Sequence, residues 1–304
     1  MKWEELKNIK FISRKDEKIK RRYSIIGDIL SFNLCPRQYG YFKIKKYQPA
    51  NPTQEWYGSV IHQTLDKIHR YFKVNKGKIP SDEEIEKFFT TTENALKVHG
   101  IRAVSLQVRE KALRVIKIFN KIEGGNLYKN VLDTEYRLES DLGKFILYGV
   151  ADVLKMVETD ENYDKSKYKP VEIWDYKGSK NPAKTNVNKL QQHIKQLYVY
   201  AYLYYLKEGK YPLRGVVYYL NELDNKNIEG KRPENALYII DFCKENTLAD
   251  MNNFIKEFEN TVEEIERCKE NNLWNPPESP DKETCDICDL RWDCSRVSYP
   301  MRYP

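Results

Sequence analysis

The chain has 304 residues, enough for one large domain or two ordinary ones, with 40% hydrophobic and 32% charged residues and a net charge of +7. This is the balance of a soluble globular protein, and no run of about 18 apolar residues offers a membrane-spanning helix. The opening Met1 to Glu5 lacks the apolar segment of a secretory leader, so the expected compartment is the cytoplasm, where structural disulfides are rare.

The basic segment Lys10 to Arg22 reads as a solvated arm. A helix starts after Ser24 and runs to about Cys35, where Pro36 disturbs it. Gly58 to Val74 places Val60, Ile61, Leu65, Ile68 and Phe72 on one stripe near period 3.6. Two more helices are expected over Glu83 to Val98 and Leu106 to Ile122. The pattern then shifts to short runs rich in Val, Ile, Leu and Tyr, separated by polar turns. Strands are expected over Asn130 to Leu138, Phe145 to Val157 and Pro170 to Tyr176. A long helix follows over Val187 to Lys207, then strands over Leu213 to Leu220 and Ala236 to Phe242, and a last helix over Leu248 to Glu270.

The expected fold class is α/β, a mixed central sheet flanked by helices. Residues 1–129 form an N-terminal helical region, 130–245 the core, and 246–304 a C-terminal helix with a cysteine segment that packs with the N-terminal region.

Cys285, Cys288 and Cys294 stand as C-x2-C-x5-C, one thiolate short of a closed metal site. Cys35 is a candidate fourth ligand, 250 residues away along the chain, and would staple the two ends of the fold. Iron–sulfur or four-thiolate zinc both suit four such ligands. Cys243 and Cys268 read as ordinary thiols. The modest basic excess permits a polyanionic partner, and the 23 tyrosines, set among lysines and arginines, could stack on unpaired bases as well as fill a core.

Strand alternation puts Asp175 and Lys177 on one face and Glu172, Trp174 and Tyr176 on the other. An acid and an ammonium two apart at a strand end can hold a divalent cation and a water beside it, or form a simple same-face ion pair. Asp152 lies in the apolar run Tyr148 to Leu154, where a charge needs a partner; an adjacent strand could set it beside Asp175, and a cation would resolve their repulsion. His62, four residues after Gly58 on a helix, is a further candidate ligand or a surface residue near Asp66. Gly58 itself would let that helix approach another backbone closely. Gln196 and Tyr200, four apart on the long helix, could reach the same place or belong to a tyrosine-lined packing face.

The order of these pieces is more specific than any one of them. Cysteine, G-x3-H, G-x2-D, D-x-K, Q-x3-Y and C-x2-C-x5-C, from about Ser24 to Ser295, resemble the PD-(D/E)xK nuclease superfamily. More narrowly they resemble its RecB-like iron–sulfur branch, which includes CRISPR-associated exonucleases that act beside the integrase and AddB-type repair nucleases. The resemblance implies a restriction-endonuclease-like core and a divalent-metal-dependent deoxyribonuclease. It implies His62, Asp152, Asp175 and the Tyr176 carbonyl as Mg²⁺ or Mn²⁺ ligands, Lys177 as the catalytic lysine, and Gln196 and Tyr200 as the motif that follows it. It implies a [4Fe–4S] cluster on Cys35, Cys285, Cys288 and Cys294. DNA, single-stranded or with single-stranded ends, is the implied partner, with a CRISPR integrase or a helicase as a possible associate. A catalytically silent DNA-binding subunit of such a complex is the alternative. Two departures stand out: Asp175 takes the place more often held by Glu, and Ile79 to Lys129 looks like added helical material.

Overall fold

The computed structural model describes residues 20–47, 53–158, 163–224, 230–244, 247–286 and 288–294. Strand β1 (Arg22–Ser24) leads into helical turns that reach Ile44. Helices α1 (Thr53–Val74), α2 (Asp82–Val98) and α3 (Leu106–Leu127) follow, then β2 (Val131–Asp141), β3 (Ile146–Met156) and β4 (Tyr168–Lys177). Helix α4 (Val187–Glu208) crosses over to β5 (Tyr211–Tyr219), and β6 (Leu237–Asp241) and α5 (Thr247–Asn271) complete the core.

Local chemistry sets these boundaries. Ser81 and Glu84 form a reciprocal capping box at the start of α2, with Ser81 N–H donating to Glu84 Oε2 at 2.7 Å and Glu84 N–H donating to Ser81 Oγ at 3.3 Å. Asn186 caps α4 by accepting from Lys189 N–H at 3.0 Å, and Gly209 ends it in the left-handed conformation at φ 75°.

The sheet has six strands. β2 lies antiparallel along one edge of β3 for nearly its whole length. The other edge of β3 is shared: β1 pairs in parallel with residues 146–148, and β4 pairs antiparallel with residues 153–156. β4 and β5 are parallel, as a helical crossover requires, and β6 is antiparallel to β5. On the shared edge, residues 149–152 therefore have no strand partner, and the sheet forks there.

Each face of the sheet carries its own apolar cluster. α4, α5 and the turns before α1 cover one face through Ile29, Phe32, Leu197, Leu203, Phe258 and Trp274. α1, α2 and α3 cover the other, with Trp56, Ile61, Phe89 and Phe119 packed against Trp174 and Tyr218. Ile173 belongs to the first cluster and Trp174 and Tyr176 to the second, so the expected alternation along β4 holds.

Two local expectations need correction. Most of the basic arm lies outside the described residues, but Arg22, its last member, is part of β1, held by the β3 ladder and by Glu139 at 2.6 Å. Ser24 does start a helix, accepting from Gly27 N–H at 3.1 Å, yet Ile25–Leu30 and Tyr39–Ile44 are π-helical rather than one regular α-helix. Cys35 interrupts them in an extended conformation (φ −161°), and Pro36 opens the next turn, where its missing N–H is no loss.

The two ends of the chain meet through side chains. Tyr23 O–H donates to Glu266, Thr261 O–H donates to Asn33 Oδ1 at 3.2 Å, and the Trp274 indole lies on the backbone of Gly40. No described helix is long and apolar enough to cross a membrane.

Candidate active site

The fork in the sheet is where the chemistry gathers. Regular pairing between β3 and β4 stops at Val153 and Trp174. The next residue on each strand is Asp152 and Asp175. Because the strands part there, side chains from both helical layers reach the gap. It opens into a cavity of about 650 Å³ lined by His62, Asp66, Glu135, Asp152, Asp175 and Lys177, with Gly58 and Gly178 at its wall.

Asp152 is held from two sides. Its Oδ2 accepts from Tyr176 N–H at 2.5 Å, a bond that replaces the missing strand ladder, and its Oδ1 lies 2.8 Å from His62 Nδ1. Burial disfavours the His62 imidazolium, but the charge and hydrogen bond of Asp152 outweigh it, and His62 is held above the ordinary imidazole value.

Asp175 is 3% exposed. Its Oδ1 accepts from Gln196 Nε2 at 2.5 Å, and its Oδ2 lies 2.7 Å from Lys177 Nζ. That second oxygen is out of line for a hydrogen bond and makes none. Burial pushes the Asp175 carboxyl up; Lys177 opposes this and Asp152 adds to it. Lys177 Nζ donates to Gln196 Oε1 at 2.9 Å, so one amide clamps both the acid and the lysine. Gln196 Nε2 also donates to Tyr200 O–H at 2.9 Å, and Tyr200 in turn donates to the Val150 carbonyl at 2.8 Å, on the unpaired edge of β3. The tyrosine-rich helix thus serves both readings: Gln196 and Tyr200 face the fork, while Tyr198 and Tyr204 pack the core.

The structure brings His62, Asp152, Asp175, Lys177, Gln196 and Tyr200 together. Tyr176 contributes its backbone N–H, while its ring turns to the opposite face and meets His69 Nε2 at 3.0 Å. Glu172 is on that face too, accepting from Trp174 Nε1 at 2.8 Å and Lys155 at 3.0 Å. Gly58 departs from expectation. A Cβ there would meet nothing within 4 Å, so this glycine keeps the cavity wall open instead of permitting a close helix contact.

Glu135 and Asp66 were not singled out from the sequence. Glu135 stands opposite Asp152 across β2 and β3, at a left-handed φ of 51°. Partial burial, and then the charges of Asp152 and Asp66, push its carboxyl up. The only sequence signal for it is the hairpin register, which needs both strand boundaries to be known. Asp66 sits one turn after His62 on α1 and accepts from Thr134 Oγ1 at 2.7 Å.

The acids around Asp175 suit a divalent cation in kind: two carboxylates and an imidazole face one cavity, and the buried Asp175 Oδ2 is held only by its ion pair with Lys177. Among the described residues, no three His, Cys, Asp or Glu side chains converge closely enough to hold a metal as they stand. At the fork, His62 is folded onto Asp152 and Lys177 onto Asp175.

Cys35 is buried and Cys285, Cys288 and Cys294 are half-buried; all four are free thiols. Burial, and then the charges of Cys288 and Cys294, push the Cys35 thiol up, and Cys285 responds to the other three. As they stand, no three of these four described thiols converge closely enough to hold a metal. Gln38 Nε2 fastens the Cys35 and Cys285 segments by donating to the Thr284 carbonyl at 3.3 Å.

A mixed α/β core with an acid-x-lysine at the end of a forked strand, clamped by glutamine and tyrosine from the following helix, is the architecture of a nuclease. The chain belongs to the PD-(D/E)XK nuclease superfamily, which its sequence matches over residues 28–295. No curated protein matches it. Among solved structures it is similar to one from Eubacterium rectale named "Putative exonuclease", at 13% identity and a TM-score of 0.47, covering 91% of this chain and 90% of that one.

Proposed function

We propose that this protein is a divalent-cation-dependent deoxyribonuclease, an exonuclease acting on single-stranded DNA or single-stranded ends. The observation that carries the reading is the clamp at the fork, where Gln196 holds Lys177 at 2.9 Å and Asp175 at 2.5 Å. A salt bridge that served only stability would have no need of a third, fully buried side chain bonded to both members beside a cavity that both of them line.

Asp152, Asp175 and His62, with the Tyr176 carbonyl, would hold Mg²⁺ or Mn²⁺. Such an ion supplies Lewis-acid polarisation of the phosphate and a nucleophilic water near neutral pH. Lys177 meets the scissile phosphate with its ammonium and stabilises the charge that develops there. Gln196 keeps that ammonium aimed, and Tyr200 keeps Gln196 in place through Val150. The water oxygen bonds to phosphorus, the P–O3′ bond breaks, and the departing oxygen takes a proton, leaving a 3′-hydroxyl and a 5′-phosphate. Cys35, Cys285, Cys288 and Cys294 are read as ligands of a structural [4Fe–4S] cluster, a reading that rests on the C-x2-C-x5-C spacing and the remote fourth cysteine. The biological setting proposed is CRISPR spacer acquisition or DNA repair, with an integrase or helicase as associate.

The test is cleavage of end-labelled single-stranded DNA by anaerobically purified protein in Mn²⁺, Mg²⁺ or EDTA. Metal-dependent cleavage that is lost in Lys177→Ala is expected, and the product ladder gives polarity. Cleavage that survives in Lys177→Ala would overturn the site, and binding without cleavage by the wild type would overturn the activity. A brown, iron-containing preparation is expected, and a colourless zinc-loaded one would overturn the cluster.

A further inference from the structure

A second cavity, of about 500 Å³, lies beside the catalytic one between the C-terminal half of α1 and the start of β2. Arg70, Lys73, Lys76 and Lys129 line it, with Asp133 as the one acid. Arg70 Nε donates to Asp66 at 2.8 Å and Lys73 Nζ to the Leu132 carbonyl at 3.4 Å. Among the described residues, Lys76 and Lys129 make no ion pair. Asp133 is engaged by Thr134 N–H at 2.9 Å. The lining thus presents uncommitted positive charge.

His69 also lines this cavity. It is 4% exposed, and its Nδ1 has no hydrogen-bond partner. Its Nε2 is engaged with Tyr176 O–H at 3.0 Å. If the ring proton sat on Nε2, two buried groups would lack partners: the Nδ1 lone pair and the Tyr176 hydroxyl proton. With the proton on Nδ1, Tyr176 donates to Nε2 and a single N–H remains unmatched. One cavity is thus lined by a buried histidine with an unmatched ring N–H and by two lysines outside any described ion pair, a lining that suits an anion.

The two cavities share a wall. Asp66 lines the catalytic one, Arg70 and Thr134 line the second, and both residues bond to Asp66 Oδ1. His62 and His69 are two turns apart on one face of α1, about 10 Å at 1.5 Å per residue. A strand with one phosphate at the fork can place here a phosphate two nucleotides along.

We propose that this cavity is a phosphate subsite for the substrate strand, with Lys76 and Lys129 supplying charge and the buried His69 ring at its inner wall. The proposal rests on the nuclease reading above and adds a residue set outside its catalytic group.

The experiment measures binding of a fluorescein-labelled single-stranded oligonucleotide to the full-length protein in EDTA, by anisotropy over a range of salt. The variants are Lys76→Ala/Lys129→Ala and, as a charge-matched control on the opposite face of the sheet, Lys256→Ala/Arg267→Ala. In the first variant, affinity is expected to fall about tenfold, and the salt slope to drop by about 1.4 for two lost phosphate contacts. The His69 imidazole ¹⁵N resonances of the wild type are expected to shift on adding the oligonucleotide. Binding equal to that of the control, with an unmoved His69, overturns the subsite and leaves the nuclease reading standing. Failure of the wild type to bind the oligonucleotide at all overturns both.

Discussion

The Tyr200 ring occupies the space that a side chain at position 149 would need. A Cβ on Gly149 would come within 2.5 Å of the Tyr200 ring and 2.9 Å of Ile25. The glycine of G-x2-D is thus explained by the tyrosine of Q-x3-Y, for the ring must cross the β3 backbone to donate to Val150. Gly149→Ala is expected to destabilise the fold by about 1–3 kcal/mol through overpacking. It should also reduce cleavage ten- to a hundredfold, roughly, because Tyr200, Gln196 and Lys177 shift as a unit. Urea unfolding beside single-turnover cleavage checks both effects. A stable variant with full activity would break the link between the two motifs.

Removing the clamp isolates its role. In Gln196→Leu, Lys177 loses its acceptor and Asp175 Oδ1 its donor inside a buried site. A loss of about 1–3 kcal/mol in stability is expected, with kcat falling about a hundredfold. Tyr200→Phe should be milder in both, since Gln196 keeps its bonds to Lys177 and Asp175. Equal effects from the two variants would place the aiming function in Tyr200 instead.

Gly58 offers a separation of stability from function. With open space around it and a helical backbone, Gly58→Ala is expected to raise stability by about 0.5–1 kcal/mol. Gly58→Leu should keep the fold but fill part of the catalytic cavity, weakening oligonucleotide binding and cleavage. Thermal unfolding and anisotropy read the two effects independently. A destabilised Gly58→Ala would show that the helix is crowded there after all.

Much of this arrangement was legible in the sequence, and the exceptions have physical causes. Long amphipathic helices and alternating strands carry their periodicity openly, so α1 to α5 and β2 to β6 fall close to their expected positions. Strand alternation alone separated Asp175 and Lys177 from Glu172. The three-residue β1 has too few positions to show a period, and its pairing with β3 depends on residues more than 120 positions away. Glu135 was hidden because its importance comes from register, a property of two strands together. The role of Gly58 was misread because a glycine that admits a neighbour and a glycine that keeps space empty look alike in a sequence.

His193, one turn before Gln196, gives a pH prediction. Burial, and then the nearby charges of Lys177 and Lys189, push its pKa down to about 2, while Nδ1 lies 3.0 Å from the Tyr219 hydroxyl. The unfolded chain binds a proton near the ordinary value of about 6.5 and the folded chain does not, so this residue lowers stability as pH falls below 6.5. His69, pushed down to about 4 by burial, acts in the same direction, while His62, held up by Asp152, acts oppositely. The difference between wild type and His193→Gln therefore isolates the effect. From pH 6 to pH 5 the wild type is expected to lose about 1 kcal/mol more than the variant in urea unfolding. Parallel losses would show that His193 is protonated in the folded protein.

Closure of the chain ends depends on Gly40 and Trp274 as well as on the cysteines. The indole is 5% exposed, lies on the Gly40 backbone and meets Tyr39 with ring centroids 5.9 Å apart. Any side chain at position 40 would displace it, and Trp274 begins the segment that leads to Cys285. Gly40→Ala is expected to destabilise the protein by about 1–3 kcal/mol, and Trp274→Ala by about 3–5 kcal/mol. If the ends are held by side-chain packing, these losses appear in urea unfolding even in a Cys285→Ser/Cys288→Ser background, where the proposed cluster ligands are gone. If the cysteine site alone closes the ends, both substitutions become nearly silent in that background.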